Sequence, residues 1–125
     1  MPADWNKLHS LASAEVEATL AELPPQLRER AKPLPVTLER VPNPGLVADG
    51  IEADSLGLFT GPAFADEEHD PSPLPPQIIL FLENLWDFSD GDADIFRDEV
   101  HTTYLHELGH YLGLDEDDLF DRGLD

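Results

Sequence analysis

The residues with the clearest chemical potential are His106, Glu107 and His110, which follow the spacing His-Glu-x-x-His. Residues four apart on an α-helix lie one above the other, so the two imidazoles can bind the same metal ion. Glu107 is then within reach of water on that metal and can act as a general base. The chain contains no cysteine, so any ligand must be histidine, aspartate or glutamate. This pattern predicts a zinc site.

A hydrolytic zinc site needs a third protein ligand and one open position. Gly113 follows the second histidine by three residues, and a glycine there can end the helix in the left-handed conformation and turn the chain back across the metal. The candidates for the third ligand are the acids that come next, Asp115, Glu116, Asp117 and Asp118. Spacing alone leaves the choice among them open.

The metal-binding residues require a helix, and the sequence predicts one from about Asp94 to Leu112, without proline. A turn of 100° per residue places a polar set on one face: Glu99, Thr102, Thr103, His106, Glu107 and His110. The opposite face carries Val100, Tyr104, Leu108, Tyr111 and Leu112. We therefore expect one side of this helix to pack in the core and the other to carry the chemistry.

Hydrophobic patterns and turn residues predict the elements that must position this helix. They are an amphipathic helix that starts at Ser10 or Ser13 and ends before Pro24, a short helical turn at 26–31, and strands at Leu34–Val41, Leu56–Thr60 and Gln77–Leu85. We also expect flexibility at 1–9, a surface loop or flap at 63–76, and a last short helix from Asp115 to about Arg122. Residues 1–125 are predicted to form a single domain.

Composition restricts the possible partners. The chain has 125 residues, 41% of them hydrophobic, with 7 Lys and Arg against 27 Asp and Glu and a formal net charge of −20. Such a charge repels phosphate backbones and anionic lipid headgroups, so we expect neither nucleic acid nor membrane as a partner. The N-terminal residues lack the pattern of a signal peptide, and no apolar run is long enough to span a membrane. A cytoplasmic location is therefore predicted.

The pattern HExxHxxGxx followed by an acid resembles the extended zincin motif. More of the chain is similar to the small bacterial minimal metalloprotease-like zincin family, through ELPP at the end of the first helix, the LGLFTG element, the apolar strand and the C-terminal HELGHYLGLDEDDL. The resemblance implies an α+β zincin-like fold, in which a small β-sheet packs on an N-terminal helix and a C-terminal active-site helix. It also implies that the strand Gln77–Leu85 lies beside the active-site helix and forms the rim along which a peptide could lie.

The same resemblance implies Zn²⁺ held by His106, His110 and Glu116, with Asp115 or Asp117 as alternatives to Glu116. The expected function is that of a zinc-dependent metallopeptidase with Glu107 as its general base. Its partners would be peptides or unfolded protein segments, and the acidic surface would favour basic ones. The alternative is a non-catalytic zinc-binding or protein-interaction module on the same scaffold.

Overall fold

The computed structural model describes residues 4–61 and 75–114, in which a three-stranded sheet packs against helices. The elements are α1 (Trp5–Glu22), α2 (Pro25–Ala31), β1 (Val36–Glu39), α3 (Pro44–Ala48), β2 (Gly57–Thr60), β3 (Gln77–Phe81), α4 (Leu82–Phe88) and α5 (Ala93–Leu112). The predicted α+β fold is confirmed. The predicted last helix and nearly all of the predicted loop at 63–76 lie outside the described residues.

The sheet has the order β1-β3-β2, so β3 is its central strand. It pairs in parallel with β1, where Val36 lies opposite Ile78, and antiparallel with β2, where Leu58 lies opposite Ile79. A strand with neighbours on both sides cannot form a rim. The prediction that Gln77–Leu85 forms the rim is therefore wrong, and among the described residues β2 is the edge strand beside α5.

The chain also leaves β3 earlier than predicted, because the strand ends at Phe81 and a helix begins at Leu82. Leu82 and Leu85 are both fully buried, and their spacing of three is helical. The backbone N–H of Glu83 donates to the carbonyl of Arg40, 3.0 Å away, which fixes the first turn of α4 against the end of β1. The apolar run is continuous in sequence because the buried face of a strand meets the buried face of a helix.

The N-terminal helix starts at Trp5, so the predicted start at Ser10 or Ser13 is wrong. The Asp4 carboxylate accepts a hydrogen bond from the backbone N–H of Asn6, 3.1 Å away, and caps the helix. Residues 5–9, which we expected to be flexible, lie in this helix, and Leu8 is buried. The helix ends before Pro24, and the short helix predicted at 26–31 is present as α2.

The long C-terminal helix α5 is confirmed and has a defined cap at each end. The Asp92 carboxylate accepts from the backbone N–H groups of Asp94 and Ile95 at 2.9 and 3.0 Å. Gly113 has φ 74°, the left-handed conformation predicted for it. Among the described residues, no helix combines the length and apolar character needed to cross a membrane.

The hydrophobic core lies between α1, α5 and one face of the sheet. Its buried residues are Leu8, Ala12, Leu23, Leu27, Ala31, Leu34, Ile78, Leu80, Leu82, Leu85, Phe96, Val100, Tyr104, Leu105, Leu108 and Tyr111. A polar contact crosses this core, since Thr19 Oγ1 and His101 Nδ1 lie 2.8 Å apart. The Thr19 hydroxyl donates to the carbonyl of Glu15, so its oxygen accepts from the imidazole. These contacts fix α5 against α1 and the sheet.

Candidate metal centre

The two motif histidines lie one turn apart near the end of α5, and both are exposed. Their Nε2 atoms are 3.3 Å apart. Two imidazole nitrogens bound tetrahedrally to zinc, each at about 2.0–2.1 Å, are separated by about 3.3–3.4 Å. The side chains of His106 and His110 are thus already at the separation that a shared zinc ion requires.

Glu107 lies beside this pair but in a different environment, because its residue is only 9% exposed. The candidate ligand atoms of His106, Glu107 and His110 all lie within 4.8 Å of one another. Burial raises the pKa of the Glu107 carboxyl, and the charges of His110 and His106 oppose that increase. A carboxylate that is partly removed from water is a stronger base than one at the surface.

The remaining residues of α5 divide between a polar and an apolar side. Thr102 is exposed, and Glu99 and Thr103 are half-buried on the polar side. Tyr104 and Tyr111 are in the core at 1% and 3% exposure, and burial raises the pKa of Tyr104 to about 12. The two-faced helix expected from the sequence is present, except that Glu107 is covered.

The structure also shows a neighbour of α5 that the sequence interpretation missed. Strand β2 runs along α5, with Gly57 next to Thr103 and the ring of Phe59 5.7 Å from the ring of Tyr111. The available signal was Gly57 itself, because a glycine inside a strand often marks a close approach of another element. The candidate metal-binding residues therefore lie on the helix along which β2 runs.

The predicted third ligand is not tested by this geometry. Glu116, with its alternatives Asp115 and Asp117, lies outside the described residues. The helix ends at Gly113 in the conformation that the prediction requires. Assignment of Glu116 as a ligand remains a prediction, whereas His106, Glu107 and His110 are brought together in the structure.

A family model described as zincin-like metallopeptidase matches residues 31–124 of the chain. The match covers the three strands, α5 and the acidic residues that follow it. No curated protein matches the chain. Membership of this family implies a metal ion, usually zinc, and the His106-Glu107-His110 group could bind one.

Proposed function

This chain belongs to the zincin-like metallopeptidase family, and we propose that it is a zinc-dependent peptidase with Glu107 as its general base. The observation that carries the proposal is the 3.3 Å separation of the His106 and His110 Nε2 atoms, with a buried carboxylate beside them. A hydrogen bond between the two imidazoles gives the same separation, but a surface histidine pair without a metal role does not require a covered glutamate beside it. Both features are those of a hydrolytic zinc site.

In this proposal, His106 and His110 would hold zinc through Nε2, and Glu116 would supply the third ligand. Zinc held there would lower the pKa of a water molecule to about 7 and would polarise a substrate carbonyl. The Glu107 carboxylate accepts the proton of the attacking water and later donates it to the nitrogen of the leaving amine. The C–O bond forms as Glu107 takes the proton from water, the C–N bond breaks as Glu107 gives that proton to the amine, and Glu107 returns to its starting state.

A peptide substrate would lie along β2, the edge strand next to the site. The carbonyl of Leu56 accepts from the N–H of Phe81 at 3.0 Å, so alternation directs the backbone groups of Gly57 and Phe59 away from β3. The Gly57 carbonyl accepts a hydrogen bond from Ser55 Oγ at 3.0 Å. Pairing with an extended peptide therefore falls mainly to the N–H and C=O of Phe59.

The charge of −20 supports a preference for basic peptides, because opposite charges attract such a substrate to the protein. The same charge opposes binding of nucleic acid and anionic membranes. The substrate is thus proposed as a peptide or an unfolded segment that carries lysine or arginine.

The proposal predicts that Glu107→Gln abolishes peptide hydrolysis while zinc stays bound. The amide keeps the shape of the side chain but cannot accept the proton of the water, so we expect kcat to fall by about 100-fold or more. The measurement is cleavage of an unbiased peptide pool by zinc-loaded protein, with and without a chelator, beside zinc content. Glu99→Gln, on the same helix, is the matched control and should retain activity.

Two experimental outcomes would contradict the proposed peptidase mechanism. Hydrolysis that survives Glu107→Gln would exclude Glu107 as the base. Stoichiometric zinc in wild-type protein that cleaves no peptide would favour the alternative, a non-catalytic zinc-binding or interaction module.

A further inference from the structure

Two contacts hold β2 against α5, and Gly57 makes the closer one. A Cβ atom built on Gly57 would lie 2.6 Å from Thr103 Cγ2 and 3.4 Å from the carbonyl oxygen of Ile79. Carbon atoms in good contact are about 3.5–4.0 Å apart, so no larger residue fits there unless the strand or Thr103 moves. Gly57 does not have a positive φ, and the space is therefore what requires glycine.

The second contact is the tilted pair of Phe59 and Tyr111, and Glu107 lies between the two contacts. Thr103, Glu107 and Tyr111 follow one another at intervals of four, so they form a single stripe along α5. Gly57 and Phe59 point to the same face of the sheet because strand residues alternate. Strand β2 thus runs along the Glu107 stripe, which agrees with a buried Glu107 beside exposed histidines.

The segment that leads into β2 is held separately, by Asn84 of α4. The side-chain amide nitrogen of Asn84 donates to the carbonyls of Ala53 and Ser55, each 2.9 Å away. Ser55 in turn donates from Oγ to the carbonyl of Gly57. Since α4 packs on α5, this chain of bonds connects the start of β2 to the body that carries the metal-binding helix.

We propose that Gly57 and Asn84 are positioning residues of the active site, which act through β2 to set the distance between that strand and Glu107. Gly57 allows the strand to approach α5, and Asn84 fixes the segment before it. The inference rests on the proposed peptidase function, because a peptide paired with β2 moves with that strand relative to Glu107. A displaced strand misaligns the scissile bond, and misplacement by about 1 Å can cost up to about 100-fold in rate.

The positioning role of Gly57 is tested with a second substitution that should restore the lost activity. Gly57→Ala should lower kcat about tenfold, with KM and zinc affinity within about twofold of wild type, because alignment is lost and the ligands are not. Adding Thr103→Ser, which removes the obstructing methyl group, should restore most of the lost kcat, with Thr103→Ser alone as the reference. Gly45→Ala, in α3, is the matched glycine control and should leave kcat unchanged.

The Asn84 part is tested with an isosteric change. Asn84→Asp replaces two donated hydrogen bonds by a carboxylate that faces two carbonyl oxygens, so kcat should fall while zinc affinity stays near that of wild type. Asn43→Asp is the matched control. The Asn43 side chain accepts from the backbone N–H of Leu46 at 2.8 Å, and an aspartate can accept the same bond. Thermal unfolding of each variant establishes that it is folded.

The outcomes separate this inference from the peptidase proposal. Wild-type kcat in Gly57→Ala, no recovery in the double variant, or a parallel loss of zinc affinity would each overturn the positioning role. If wild-type protein cleaves no peptide, the peptidase proposal fails, and the carbon-13 chemical shift of the Glu107 carboxyl in zinc-loaded protein decides whether β2 is displaced from Glu107. That shift should change in Gly57→Ala and return in the double variant, and identical shifts would overturn the inference.

Discussion

At the scale of single residues, His106 and His110 differ from the other described histidines by the short distance between their Nε2 atoms. His106→Ala and His110→Ala should each lower zinc affinity by about 100-fold or more, because each removes one of few ligands. His9→Ala, which removes an exposed histidine of α1, should leave the affinity unchanged. Competition titration with a chromophoric chelator measures all three affinities. An equal loss of zinc affinity in His9→Ala would contradict the proposed zinc site.

The same titration tests the third ligand. Glu116→Ala should lower zinc affinity far more than Asp118→Ala does, because only one acid of the cluster is proposed to bind the metal. Equal, small losses would place the third ligand elsewhere in the chain.

Tyr104 gives a prediction for alkaline pH. Burial raises its pKa from 10.0 to about 12, so the unfolded chain loses this proton first as the pH rises. Its contribution to stability is complete below about pH 10 and declines toward about pH 12. The free energy of unfolding should therefore fall by about 1 kcal/mol between about pH 10 and pH 11 through this group. Urea titrations of Tyr104→Phe should lack that part of the decline, and Tyr111→Phe should retain it.

The sequence predicted the histidines and the general base together because a helix repeat depends only on spacing. It did not predict the burial of Glu107, which lies on the same face of the helical wheel as His106. A strand about fifty residues earlier in the chain runs along this side of α5, and α5 alone contains no sign of that strand. The spacing within one helix identifies candidate metal-site residues, whereas the exposure of each residue to solvent depends on distant parts of the chain.

At the scale of elements, the end of α5 depends on the backbone conformation of Gly113. Gly113 has a positive φ, and a Cβ there would meet no atom within 4 Å, so only backbone strain opposes a side chain. Gly113→Ala should lower the free energy of unfolding by about 1–2 kcal/mol.

Gly113→Ala should also weaken zinc binding, because Gly113 stands between His110 and the proposed third ligand, Glu116. Chemical unfolding and zinc titration measure the two effects, and Gly45→Ala controls for the glycine replacement. Unchanged zinc affinity in a destabilised variant would separate the turn from the site.

Element boundaries show where patterns stop being informative. The sequence located α5 well because a capping aspartate, a long period and a terminal glycine all agree. It failed at Phe81, where a buried strand passes directly into a helix with no proline or glycine between them. It also missed α3, a five-residue helix capped by Asn43, because one turn is too short to show a period.

At the scale of the whole molecule, charge should govern the rate of substrate capture. For a lysine-rich peptide, kcat/KM should fall as salt rises from about 0.01 M to about 1 M, since the screening length drops from about 30 Å to about 3 Å. An uncharged peptide of the same length should respond much less. Steady-state kinetics measures kcat/KM for the two peptides. An equal dependence on salt would contradict the preference for basic substrates.

The two outer strands also bear on how copies of this protein behave in solution. An edge strand offers unpaired backbone groups to any extended chain, including another copy of itself. Here β1 and β2 are only four residues long, so each edge offers few backbone groups for pairing. Repulsion between chains of charge −20 adds to this limit. The sheet can thus leave an edge open to a short peptide while resisting aggregation of the protein through the same edge.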